Sequence, residues 1–324
     1  MGKRLYGTLL GREIDCYTLT AEGIEVDVLP YGGIIADIRV PDKGGRIRSV
    51  VLKKESLDAY QSDTAYVGAL IGRYANRIAG GGFSLSGVYY PLTKNEGENT
   101  LHGGRDGFNR KILEVGEFSE NALTLLFDSP DGEEGFPGRV RGCVRYALSP
   151  SALTLSYEAV SDRDTYLCLT NHTYLNPSGE ESDTKGLRLS ICADAYTPVD
   201  RELIPTGEVR SVAGTPFDFR REGGLFDRLF CDEALASRGC YDENFVLSGE
   251  GMRQAASLYS PESGIRATLF TDQPGLQIYT GNPHGVALEP QFFPNACNCP
   301  SFPSPFLRAG ELYTAVTRYS FTVE

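Results

Sequence analysis

The residues able to do chemistry gather in six short segments. The chain holds three histidines, His102, His172 and His284. His102 sits in NTLHGG (99–104), where two glycines let the backbone come close to a ligand. His172 sits in LCLTNHTYL (167–175). GRYANRI (72–78) sets Asn76 beside Arg77, whose guanidinium offers a rigid fork of donors for hydroxyl or carboxylate oxygens. YDENF (241–245) carries Asp242, suited to gripping sugar hydroxyls or to capping a turn. GLQIYTGN (275–282) puts Gln277 and Tyr279 on one strand face and Leu276 and Ile278 on the other. VALEPQFFP (286–294) encloses Glu289 among apolar neighbours, where a carboxylate either finds partners or is held protonated to higher pH, as a general base near neutrality requires.

Each segment has a plainer reading. Arg77 suits a surface ion pair, His102 a turn, and Glu289 a solvated strand edge, the last because Pro290 follows it. The same period-2 alternation puts Thr170, His172 and Tyr174 on one face and Leu167, Leu169 and Leu175 on the other, which fits a binding surface or an ordinary wet face. Together the segments supply carboxylates, imidazoles, an arginine and amides. That set suits acid/base chemistry on a polyhydroxylated substrate, and leaves a carbohydrate enzyme and a carbohydrate binder both open.

The elements that must position these groups read as short strands. Ile24 to Leu29, Leu153 to Val160, Leu187 to Tyr196, Ile265 to Phe270, Gln277 to Thr280 and Leu312 to Val323 all alternate. Phe83 to Leu92 reads as a hairpin turning at Ser86-Gly87. Helical periodicity is weak, with one short helix expected over Ser56 to Ser62 behind a serine cap. The 37 glycines and 18 prolines punctuate the runs. Strands without long intervening helices predict an all-β fold, a sandwich or barrel, in one large antiparallel domain spanning 1–324.

Composition narrows the partners. A net charge of −12 argues against nucleic acid, whose phosphates need a basic footprint. No run of eighteen apolar residues predicts a membrane span. The opening residues lack an apolar core of signal-peptide length. The eight cysteines read as reduced thiols and the location as cytoplasmic. Cys297 and Cys299 form a C-x-C with no second pair nearby, so no metal site is expected. Nucleophile-elbow, Walker and dinucleotide fingerprints are missing from the contexts they need.

In combination, GRYANRI, LHGG, LTNHTYLN, the YDxNF box, GLQIYTGN and LEPQ occur in an order and spacing that resembles the galactose mutarotase (aldose 1-epimerase) family over most of the chain. The resemblance implies a large antiparallel β-sandwich with an open, polar sugar cleft. Residue by residue it implies Glu289 as catalytic base and His172 as general acid. His102, Asn76, Arg77, Asp242 and Gln277 become sugar-binding groups, with His102 also steadying charge at the ring oxygen. It implies interconversion of the α and β anomers of free aldoses such as galactose and glucose, a monosaccharide substrate and no cofactor, in a monomer or homodimer. Two features depart from many relatives: Glu243 stands where histidine is common, and the link Pro283 to Val286 is short. The chain also lacks tryptophan, so any stacking on the sugar falls to Tyr or Phe.

Other readings of the same cleft are a glycoside hydrolase using Glu289 and Asp242 as its carboxylate pair, a non-catalytic sugar sensor, and an epimerase of sugar phosphates, which would need an added basic cluster.

Overall fold

A computed structural model describes residues 2–324, and these residues fold largely as antiparallel strands. Three sheets organise them. Residues 2–49 form a five-stranded meander in sequence order. A nine-stranded sheet runs from Glu114–Phe118 through Ala122–Ser129, Val140–Ser149 and Ala152–Ser161 to Leu312–Val323. It continues through Ile265–Thr271 and Arg253–Tyr259 to Arg188–Ile191 and Gly223–Gly224. The third sheet orders Tyr174–Leu175, Gly285–Gln291, Gly275–Asn282, Asp242–Leu247, Ala193–Thr197 and Arg210–Ser211.

Period-2 burial packs these sheets. Along Leu312–Val323, the residues Tyr313, Ala315, Tyr319 and Phe321 are buried and their neighbours mostly are not. Leu153, Leu155 and Tyr157 do the same one strand over, paired in register with that strand. They join Leu276, Ile278 and Phe245 of the six-stranded sheet in one apolar cluster, so the two larger sheets enclose a shared core. A second cluster, including Ile71, Tyr74, Cys168, Tyr174 and Ala287, lies on the other side of the six-stranded sheet.

The expected elements largely form. The hairpin turns at Ser86-Gly87, both at positive φ as a two-residue hairpin turn needs. The helix spans Leu57–Gln61, with the Ser56 hydroxyl accepting from the Ala59 amide at 3.2 Å. Leu187 to Tyr196 is a correction. It is two strands, Arg188–Ile191 in the nine-stranded sheet and Ala193–Thr197 in the six-stranded one. The chain crosses between layers at Cys192, and alternation cannot show that crossing because both strands keep the same period. Among the described residues no helix is long and apolar enough to cross a membrane.

Candidate active site

The six-stranded sheet builds one wall of the site as two rows of side chains on the face opposite the shared core. Cross-strand partners stand about 5 Å apart, so register decides which side chains meet. The first row is Tyr174, Ala287, Tyr279 and Asp242, paired strand to strand. The second is Glu289, Gln277 and Asn244. Ala287 adds only a methyl at the centre of the first row, and the Tyr174 and Tyr279 rings on either side of it pack edge to face with centroids 6.1 Å apart.

The facing wall is irregular chain held by short bridges. Leu101 pairs with Arg77 and Thr100 with Ile78. Asn76 and His102 both sit at positive φ, 64° and 52°, a region asparagine tolerates and histidine seldom visits. Each supports the other: the His102 amide donates to the Asn76 carbonyl at 3.1 Å, and the Asn76 amide donates to His102 Nδ1 at 3.1 Å. Gly103 follows because any Cβ there would lie 2.1 Å from the Gly72 carbonyl oxygen. His172 is fixed by its backbone, which donates to the Ala69 carbonyl at 2.8 Å and accepts from the Gly68 amide at 3.0 Å.

Between the walls lies a cavity of about 310 Å³ lined by Asn76, Arg77, Glu96, His102, His172, Asp242 and Glu289, with Tyr66, Tyr174 and Tyr279 around them. That volume is at the small end for ligand pockets and suits a single ring. His172 Nε2 lies 3.5 Å from Glu289 Oε1. Both side chains are buried, and Glu289 Oε2 and His172 Nδ1 have no hydrogen-bond partner among the described residues. Arg77 donates twice to Glu96, at 2.7 and 2.9 Å, and lies 3.6 Å from Asp242. Gln277 donates to the other Asp242 oxygen at 2.5 Å.

Burial sets the proton affinities. It raises the Glu289 carboxyl well above the ordinary range, reinforced by the nearby Asp242 charge and opposed by Arg77. It lowers His172 to about 4 and His102 well below the usual imidazole value. His102 is neutral on geometric grounds too, because its Nδ1 accepts a backbone N–H. Its proton therefore sits on Nε2, a donor.

That tautomer bears on metal binding. His102, His172 and Glu289 bring ligand atoms within 4.8 Å of one another, a spacing that would suit zinc. With Nδ1 accepting from Asn76 and Nε2 protonated, His102 has no lone pair left to give. The trio offers two ligands rather than three, and the donor set does not fit a metal.

Of the residues singled out in the sequence, Asn76, Arg77, His102, His172, Asp242 and Glu289 line the cavity together. Gln277 does not line it and reaches it through Asp242. His284 is exposed in the turn after Asn282, away from the cavity. Several plainer readings are corrected. Arg77 and Glu289 are buried, not a surface arginine and a solvated edge charge. Asp242 is within a strand, not capping a turn. Residues 167–175 are not one strand, since Thr170–Asn171 and Tyr174–Leu175 pair with different partners. Alternation still places His172 and Tyr174 in the cavity, but Thr170 is not among its lining residues. Tyr66 and Glu96 were missed. The Tyr66 ring centroid lies 4.6 Å from that of His102, and neither residue belongs to a patterned strand that would have drawn notice.

Comparison with known proteins bears on the family and the fold. The aldose 1-epimerase family model matches residues 15–320. The aldose 1-epimerase of Escherichia coli K12 is 35% identical over 322 residues, covering 93% of each chain. Human galactose mutarotase is 38% identical over 331 residues, covering 97% of this chain and 95% of the relative. Among solved structures, an aldose epimerase homologue from C. elegans superimposes with a TM-score of 0.89 at 28% identity, covering 96% of this chain and 99% of that one. Galactose 1-epimerase from Lactobacillus acidophilus gives 0.88 at 26%, covering 99% and 98%. A match over nearly the whole length, on a fold that brings the six motif residues to one cavity, means that the chain belongs to the aldose 1-epimerase family.

Proposed function

We propose that this protein interconverts the α and β anomers of free aldoses such as galactose and glucose by acid/base ring opening and reclosure. The observation that carries the reading is the His172–Glu289 pair, two proton-transfer groups 3.5 Å apart and buried in a cavity the size of one ring.

Opening the ring needs a proton taken from the C1 hydroxyl and one given to the ring oxygen. Glu289 as carboxylate is the base and His172 as imidazolium is the acid. Burial disfavours either charge alone, so the pair holds one proton between its members and stays neutral overall. Moving that proton from Glu289 to His172 creates the working arrangement without changing the net charge. His102, with its proton on Nε2, donates toward oxygen where negative charge builds. Once the C1–O5 bond opens, rotation about C1–C2 presents the other face of the aldehyde. Reclosure with the roles reversed gives the opposite anomer. Asn76, Arg77 and Asp242 grip the hydroxyls, and Gln277 steadies Asp242.

Arg77 is the one lysine or arginine among the described lining residues, and Glu96 and Asp242 already face it. That supports an unphosphorylated sugar. The contacts of Asp242 with Arg77 and Gln277 support a role in accepting hydroxyls over that of a hydrolase's acid. The eight cysteines, all free thiols, support a cytoplasmic location. We read residues 1–324 as one domain, since Leu312–Val323 pairs between Ala152–Ser161 and Ile265–Thr271, and the unit as a monomer or homodimer.

The test follows freshly dissolved α-D-galactose and α-D-glucose by polarimetry or anomeric-proton NMR, with wild type and Glu289→Gln. Acceleration by wild type, lost in the variant while sugar binding survives, is expected. Binding without acceleration by wild type would leave a sugar sensor instead.

A further inference from the structure

Alternation along Asp242–Leu247 sends Asp242 to the cavity and Glu243 to the opposite face, beside Tyr241 and Phe245 of the shared core. Glu243 is only 3% exposed. A carboxylate so placed is costly unless it is paired and hydrogen-bonded, and here both oxygens are engaged. One accepts from the Asp242 backbone amide at 2.8 Å. The other accepts from Arg238 Nη2. Arg238 also donates through Nε to the Cys240 carbonyl at 3.0 Å.

The register explains the first bond. Tyr241 exchanges hydrogen bonds with Thr280, so the Asp242 amide faces the other neighbour, Ala193–Thr197. Pairing with that strand stops at Asn244, opposite Thr197. The Asp242 N–H therefore points past the end of the ladder, and the Glu243 carboxylate takes the place of the missing strand acceptor. Burial raises Glu243 to about 7 even with Arg238 opposing the shift, so the pairing with Arg238 holds down a carboxyl that would otherwise keep its proton to higher pH.

We infer that Glu243 is a positioning residue for sugar binding: anchored by Arg238, it fixes the backbone at Asp242 so that the Asp242 carboxylate keeps its place against Arg77 and Gln277. The inference rests on the proposal that Asp242 grips the sugar. Glu243 touches no substrate and acts through its neighbour's backbone.

The test measures KM and kcat for galactose mutarotation, and Kd for galactose by NMR titration, in wild type, Glu243→Ala, Glu243→Gln, Arg238→Ala and the double alanine variant. Unfolding curves confirm that each is folded. For Glu243→Ala, KM and Kd should rise roughly tenfold, the scale of one charge-assisted hydrogen bond, with kcat within about twofold. Glu243→Gln should recover most of that loss, because its carbonyl can accept from the Asp242 amide. The double variant should bind no more weakly than Glu243→Ala, since Arg238 acts through Glu243. Unchanged KM and Kd in Glu243→Ala would overturn the inference, as would additive losses in the double variant. If Glu243→Ala does not fold, Arg238→Ala decides, and wild-type affinity in that variant would overturn the inference. A wild type that binds galactose without catalysis sinks the epimerase reading alone, and the Kd comparison still settles the role of Glu243.

Discussion

Replacing Glu289 by Gln should abolish the base and, at neutral pH, make the fold more stable. Burial raises the folded carboxyl above its ordinary 4.5. A carboxyl raised in this way contributes stability that is complete below about 4.5 and is lost as pH climbs through the folded value, because the unfolded chain ionises first. Each pH unit in that window costs about 1.4 kcal/mol. At pH 7 the ceiling is about 3 kcal/mol, less whatever attraction Arg77 returns. Gln fills the same space and never ionises, so it escapes the loss. For a chain of 324 residues, about 3 kcal/mol corresponds to a midpoint gain of about 4 °C. The assay is thermal and urea unfolding of both proteins at half-unit steps between pH 5 and 8. His172 is lowered by burial, so its contribution is present above 6.5 and lost as pH falls toward about 4. To first order both proteins share that term, and the difference between them isolates Glu289. The stability gap should widen with pH and then flatten. A gap that stays constant from pH 5 to 7, or that favours wild type increasingly, refutes the claim that Glu289 is held protonated by its surroundings.

Two further outcomes follow from the same geometry. The kcat/KM profile of wild type should be bell-shaped, because the His172–Glu289 pair works with one proton and fails with two or none. Its acid limb should lie near 4, where His172 takes the second proton, and its alkaline limb above the ordinary carboxylate range; a lone inflection at 6.5 would contradict it. Glu96→Gln removes one charge from the fork that aims Arg77, so KM for galactose should rise about three- to tenfold with kcat nearly kept, and an equal fall in kcat instead would show that Glu96 acts in the transition state.

The parts of this fold legible in the sequence are those where one rule decides the outcome. Leu312–Val323 forms over the expected residues because period-2 alternation survives along a strand with one face on the core. The Ser86-Gly87 hairpin and the Ser56 cap are set by local backbone chemistry. Alternation also sorted Leu276 and Ile278 from Gln277 and Tyr279 correctly. It could not reveal the layer change at Cys192, since the period continues through it. Nor could it show that residues 167–175 are broken pieces bridged to different partners, where His172 is held by the carbonyl and amide of Ala69 and Gly68 rather than by a ladder.

The site shows the same division more sharply. Its motif residues were visible because the chemistry needs rare side chains, and a chain with three histidines has few places to hide an acid. What holds them was not visible. Glu96 reaches Arg77 from nineteen positions away, inside an acidic, glycine-containing turn that reads as solvated surface. Tyr66 packs on His102 from a stretch with no period at all. Glu243 stands out in the sequence only as a departure from the histidine common in relatives, and strand parity turns it to the side of the sheet away from the cavity, where its target is a backbone amide. Groups that meet the substrate are limited by reactivity and leave a mark in composition. Groups that aim them are limited only by reach, and reach is set by register and by where each ladder ends. The same reasoning explains why the two walls differ. The sheet wall fixes Glu289 and Asp242 by pairing, whereas the facing wall holds Asn76 and His102 at left-handed backbone angles, each bonded to the other. Substitutions on the facing wall should therefore spread from one of these residues to the other, while those in the sheet stay local.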